Sequence, residues 1–179
     1  MTAEVPTTIP LTTCLLRPFR HGDVGSLARH ANDERIWLHL RDRFPHPYTE
    51  DDARAFLDVA TSYPEGTHFA IDVGGEAVGS VGLVLQADVH RRSAELGYWL
   101  GCAHWGRGIA TEAVRAVTEH AFSVFGLVRV FAVVFAQNPA SERVLAKAGF
   151  CLEGRLRKAV VKNGALLDAL LWARVDETP

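Results

Sequence analysis

From Trp105 to Glu112 the chain reads Trp-Gly-Arg-Gly-Ile-Ala-Thr-Glu, with two glycines one residue apart just ahead of a helical pattern. Glycine lets a backbone turn tightly and approach a ligand closely, and the first N–H groups of a helix have no intrahelical partner. Such amides at the positive end of a helix form a cradle for an anion such as a pyrophosphate, with a dipole contribution of roughly 0.3–2 kcal/mol. Gly106, Arg107, Gly108, Ile109, Ala110 and Thr111 are therefore the candidate phosphate-binding positions, with the Arg107 side chain as an added charge. The same turn would also serve a helix that needs only a tight start, and Gly-x-Gly alone leaves both readings open. It is not a P-loop, because the Gly-Lys-Ser/Thr ending is missing. A dinucleotide fingerprint fits poorly, since the third glycine is absent and no βαβ unit with a ribose-binding acid follows.

Three further residues have chemistry to offer. Asn138 precedes Pro139 and reads as a helix N-cap, which places Ser141 at the third helical position. Glu95 lies in a strand pattern and shares a face with Gly97 and Trp99; an edge pairing with Arg91 or Arg92 is its structural alternative. The eight histidines show no ligand spacing, and His39, His46 and His68 are weak candidates for a substrate pocket. Cys14, Cys102 and Cys151 are odd in number and widely spaced, so no disulfide framework and no metal site is expected.

The elements that must position these groups are legible in outline. The 179 residues suit one domain spanning 1–179, and a net charge of −2 lacks the basic excess of a nucleic-acid binder. The start has no signal-peptide pattern and no apolar run reaches the roughly 20 residues of a membrane span, so a reducing cytoplasm is the expected location. Residues 1–12, rich in Thr and Pro, read as a loose arm. Cys14–Phe19 reads as a strand, and 23–31 and 49–62 as helices, the second capped by Thr49. His68–Val73, Ala77–Leu85 and Ala94–Gly101 form neighbouring antiparallel strands around a Gly74-Gly75 turn. A helical period then runs from Trp105 to a stop at Gly126. Val128–Phe135 is a continuous apolar run expected to be buried on both faces. A short helix from Asn138 to Gly149 and a hairpin turning at Asn163-Gly164 close an α+β unit built on a central sheet.

The glycine turn resembles the Gln/Arg-x-x-Gly-x-Gly/Ala motif of GNAT acetyltransferases, with Trp105 in its first position. Trp-Gly-x-Gly-x-Ala-Thr-Glu-Ala is similar to the RimJ/RimL-type branch of that family, which acetylates protein N-termini and various small amines. Leu16-Arg17-Pro18 with Asp23, Pro47-Tyr48-Thr49, Glu95–Leu100, Asn138-x-x-Ser141 through Gly149-Phe150, and Asn163-Gly164 with Asp168 extend the resemblance over nearly the whole chain from residue 14. It implies a mixed, mostly antiparallel twisted sheet of about seven strands flanked by helices, the fourth and fifth of them splayed, with acetyl-CoA as co-substrate and no metal.

By that resemblance, main-chain groups of Trp99 and Leu100 would pair with pantetheine, Asn138 would touch the cofactor, Ser141 would protonate the departing thiolate, and Glu95 would take a proton from the attacking amine. The amine would attack directly, without an acyl-enzyme, while a main-chain donor of the fourth strand steadies the oxyanion. The acceptor pocket is expected around Trp37, Arg41, His46 and Tyr48 and the closing hairpin. An α-amine of pKa about 8 is partly neutral at pH 7, whereas a lysine-type amine near 10.4 needs more than about 4 kcal/mol of help, so one base favours a peptide N-terminus or another weakly basic amine. Beyond this amine acceptor no nucleic-acid or membrane partner is expected; a homodimer stays open. A non-catalytic acyl-CoA sensor or interaction module on the same fold is the alternative.

Overall fold

The computed structural model describes residues 8–177. The expected arm is therefore described only from Thr8, and its first seven residues lie outside the described part. Order begins earlier than the Thr/Pro composition suggests. Ile9–Pro10 (β1) pairs antiparallel with Leu15–Arg17 (β2), and the link between them is held by Glu112, whose carboxylate accepts from the main-chain N–H groups of Thr12 and Thr13 at 2.8 and 2.9 Å and from the Thr13 hydroxyl.

Val24–Ala31 (α1), Glu34–Trp37 (α2) and Glu50–Ser62 (α3) follow. Thr49 and Asp52 form a reciprocal capping box that starts α3. His68–Val73 (β3), Glu76–Leu85 (β4) and Ser93–Leu100 (β5) form the antiparallel block, and Ile109–Phe125 (α4) ends at Gly126 in the left-handed region. Arg129–Phe135 (β6), Pro139–Lys147 (α5), Cys151–Lys162 (β7) and Ala165–Val175 (β8) complete the chain.

The strands form one sheet of eight in the order β1-β2-β3-β4-β5-β6-β8-β7. The count exceeds the expected seven because β1 lies in the supposed arm. All neighbours are antiparallel except β5 and β6, which pair in parallel from Ser93–Glu95 to Arg129–Phe131 and no further. Leu96–Leu100 and Ala132–Phe135 continue as strands on separate courses, so the expected splay is present.

Helices cover both faces. Ile109, Ala113, Val114, Val117 and Ala121 of α4 pack on Leu16, Phe69, Val81, Leu96 and Leu100, while Leu27, Ala31, Ala53 and Leu57 of α1 and α3 pack on Ala70, Ala77 and Trp99. Burial of these apolar side chains is the main driving force of the fold. The second face also holds a buried ion cluster. The Arg17 guanidinium, 1% exposed, donates to Asp72 at 2.6 Å and to both carboxylate oxygens of Asp23 at 2.8 Å. It ties β2 to β3 and to the start of α1.

The β6 expectation is corrected. Val130, Ala132 and Val134 are buried but Phe131 and Val133 are only half-buried: Val133 borders an open cleft, and the Phe131 ring lies under the Arg129 guanidinium at 5.9 Å.

Candidate active site

A cleft of about 1180 Å³ passes through the gap between β5 and β6 and opens on both faces of the sheet. Residue parity on β5 decides which group reaches which side. Leu96 and Leu100 belong to the α4 face and Tyr98 packs against it, whereas Trp99 belongs to the α1/α3 face; Glu95 and Gly97 share its parity.

Parity also sorts the main chain. Gly101 donates to Val78 at 2.8 Å and Ser93 accepts from Gln86 at 2.9 Å, and the β4–β5 register between them is regular. Odd-numbered residues of β5 thus turn their N–H and C=O groups to β4, and even-numbered ones turn theirs to the gap. Of the two residues expected to offer main-chain groups to a thioester arm, Trp99 faces β4 and only Leu100 faces the gap. The Leu100 carbonyl already accepts from the Trp105 indole at 2.7 Å. The main-chain groups of Tyr98 and the Leu100 N–H also face the gap.

At the start of α4, Gly106 and Gly108 adopt φ of 74° and 81°, in the left-handed region that glycine tolerates and other residues rarely enter. A Cβ at either position would meet nothing within 4 Å, so the turn is open to the cleft rather than plugged. The first intrahelical bond runs from Glu112 N–H to the Gly108 carbonyl at 3.0 Å, which leaves the amides of Ile109, Ala110 and Thr111 without a helical acceptor. These three residues line the cleft with Gly106 and Gly108. Arg107 does not; its guanidinium lies 3.4 Å from His104 Nδ1. The helical period expected from Trp105 begins four residues later because these glycines turn the chain first.

Asn138 caps α5, its Oδ1 accepting from the Ser141 N–H at 3.0 Å. The Ser141 hydroxyl lies 2.6 Å from the Tyr98 hydroxyl. Burial pushes the Tyr98 phenol up to about 12, with the Ser141 bond acting in the opposite direction. Tyr98 was not singled out in the sequence; its even parity on β5, opposite to Glu95, is the signal that would have found it.

Glu95 faces the other side, where it is ion-paired with Arg41. Arg91 and Arg92, the partners in its structural alternative, bond instead to the carbonyls of Asp88 and Gly126. Arg41 and Tyr48 both line the cleft, Tyr48 as a buried wall whose phenol is raised to about 12 by burial. Trp37 and His46 do not line it: they stack on one another at 5.8 Å, and Trp37 takes the buried Lys162 ammonium over its ring at 4.2 Å. Lys162 also pairs with Asp42 at 2.9 Å, which fastens the closing hairpin to the 38–44 loop. Between that hairpin and the loop lies a second hollow of about 350 Å³. Among the described residues no three His, Cys, Asp or Glu side chains are grouped to hold a metal, and no helix is long and apolar enough to cross a membrane.

Residues 14–151 match the acetyltransferase (GNAT) domain family. The chain belongs to the GNAT family. It is 42% identical over 100 residues to the uncharacterized N-acetyltransferase YoaA of Bacillus subtilis, an alignment covering 56% of each chain. The chain therefore aligns with little more than half the length of that relative. The spermidine N(1)-acetyltransferase of Escherichia coli is 29% identical over 164 residues, covering 87% of this chain and 82% of that one. Among solved structures, Mycobacterium smegmatis RimJ in complex with CoA-disulfide superposes with a TM-score of 0.84 at 28% identity, over 97% of this chain and 89% of the other.

Proposed function

We propose that this GNAT protein is an N-acetyltransferase that binds acetyl-CoA along the α4 face of the cleft and transfers its acetyl group to an amine entering from the α1/α3 face. The observation that carries this reading is the continuity of the cleft: unpartnered helix-start amides at one end, an unpaired strand edge between, and a carboxylate on the far side. The fit to a diphosphate rests on the open space beyond Gly106 and Gly108 and on the free amides of Ile109, Ala110 and Thr111. Asn138, with its Oδ1 committed to the helix cap, keeps its amide N–H groups for the same ligand. Bound acetyl-CoA supplies an activated acyl thioester.

The residues divide the remaining work by face. The Tyr98 and Leu100 N–H groups are the donors available to an acyl carbonyl oxygen. Either hydroxyl can donate in the 2.6 Å contact of Tyr98 with Ser141; with Tyr98 donating to Ser141 Oγ the serine proton is free for the leaving sulfur, so the two hydroxyls act as one proton-donating unit. Glu95, on the opposite face, is the base for the ammonium of the incoming amine, and Arg41 holds its carboxylate in place. Separate faces keep acid and base from neutralising each other directly.

Thiol release from acetyl-CoA across a panel of peptides and small amines tests the reading, with initial velocities taken at varied concentrations of both substrates. Intersecting lines and no acylated protein are expected. Ping-pong lines with a trapped acyl-cysteine, or saturable acetyl-CoA binding without release by any amine, would overturn it.

A further inference from the structure

The acceptor half of the cleft carries a charge pattern that the net charge of −2 conceals. Arg35, Arg41 and Arg43 stand on its wall, against the two carboxylates of Asp52 and Glu95. Both carboxylates are engaged. Asp52 accepts from the main-chain N–H and hydroxyl of Thr49 at 2.8 and 2.6 Å, and Glu95 pairs with Arg41. Arg35 is likewise committed, with two bonds to Asp33 at 2.9 and 2.7 Å. Arg43 is exposed, and no carboxylate among the described residues pairs with it. This wall therefore offers a cation and no uncommitted anion.

His68 supplies a second recognition group. The Thr67 hydroxyl lies 2.6 Å from the Pro64 carbonyl, which can only accept, so the Thr67 proton points there. In the 3.0 Å contact between Thr67 Oγ1 and His68 Nδ1 the ring must then be the donor. Its Nε2 is left with the lone pair. The ring is clamped by Tyr63, stacked at 3.9 Å and 13°, and lies against Gly82, where a Cβ would come within 2.4 Å of it. Burial, helped by the nearby Arg43, lowers its pKa to about 4, so it stays neutral in the physiological range.

Taking the acetyl-transfer reading as given, we infer that the acceptor is an amine whose own molecule carries a carboxylate, the anion held at Arg43 and an N–H or O–H donor of the same molecule held at His68 Nε2. A polyamine finds neither its counter-charge nor relief from Arg43. The low net charge of the whole chain is no guide to this local selection, because at physiological salt charges more than about 8 Å away are largely screened.

The test uses the full chain with two readouts: calorimetric binding in the presence of CoA, where nothing turns over, and thiol release with acetyl-CoA. The acceptors are the C-terminally amidated tripeptides Ser-Asp-Glu and Ser-Lys-Lys, free aspartate as the small-molecule arm, and spermidine. The expected result is at least tenfold tighter binding of an acidic acceptor than of Ser-Lys-Lys, with spermidine weakest. Arg43→Glu removes that preference, and His68→Phe raises KM severalfold with kcat little changed. Tight binding of aspartate identifies a small acceptor and tight binding of the acidic peptide alone identifies a chain N-terminus; both support the inference. Equal or better binding of Ser-Lys-Lys or spermidine, or an unchanged preference in Arg43→Glu with its thermal midpoint intact, overturns it. Selective binding without thiol release would instead sink the acetyl-transfer reading, and thiol release without selectivity would sink the anion selection alone.

Discussion

The side chains that define the chemistry differ in how their surroundings constrain them. Tyr98 and Ser141 touch only because β5 and α5 converge over the gap, and their 2.6 Å contact makes each depend on the other. Removing the phenol hydroxyl in Tyr98→Phe should lower kcat about tenfold, and Ser141→Ala on the order of a hundredfold, within the range of general acid catalysis. The double variant should be no slower than Ser141→Ala, since two groups acting as one unit are not additive. Pre-steady-state thiol release reads this directly, and fully additive losses would separate the pair. With the Tyr98 phenol raised to about 12 by burial, no alkaline fall in kcat from this pair is expected below about pH 11. His68 carries a different, thermodynamic signature. Its folded pKa of about 4 lies below the unfolded value near 6.5, so between these values the unfolded chain binds more protons and stability falls as the pH is lowered. The full effect is on the order of 3 kcal/mol. Thermal midpoints from pH 7 to pH 4 should therefore drop more steeply for the native protein than for His68→Gln; parallel curves would contradict the assignment.

The elements follow from local rules wherever those rules close over a few residues. Thr49 with Asp52, Asn138 with Pro139, and Gly126 announce helix ends because each cap is made within one turn. The alternation on β5 was readable for the same reason. What the sequence did not disclose depends on contacts between distant residues. Glu112 holds Thr12 across 100 positions, which turns a Thr/Pro-rich arm into a strand partner, and Trp105 reaches back to the Leu100 carbonyl. Trp37 and His46 were expected in the pocket from the family resemblance; Lys162, over a hundred positions later, draws Trp37 away. Between elements the Arg17 cluster is the strongest polar tie. Arg17→Ala leaves Asp23 and Asp72 buried without their cation, and a loss of about 3–5 kcal/mol is expected by chemical denaturation. A loss under about 1 kcal/mol would show that the cluster relaxes without it.

At the scale of the molecule, the sheet is a divider with an opening. Six of its seven strand junctions are built to hold, and the β5–β6 junction pairs at one end only, so one cleft joins the α4 face to the α1/α3 face. The splay followed only from the resemblance to GNAT acetyltransferases, whereas the fold class and the glycine turn were legible in the chain, because glycine spacing, strand parity and capping each carry a direct backbone meaning. The acceptor wall was not, because its character comes from which charges are already paired, and pairing is a property of the assembled structure. The central claim is that the amides at the start of α4 and the free edge of β5 receive acetyl-CoA. Hydrogen exchange of the main-chain amides, measured with and without saturating acetyl-CoA, tests it most directly. Slowed exchange at Ile109–Thr111 together with the Tyr98 and Leu100 amides is the predicted result; saturable binding that leaves those amides exchanging at their free rates would contradict it.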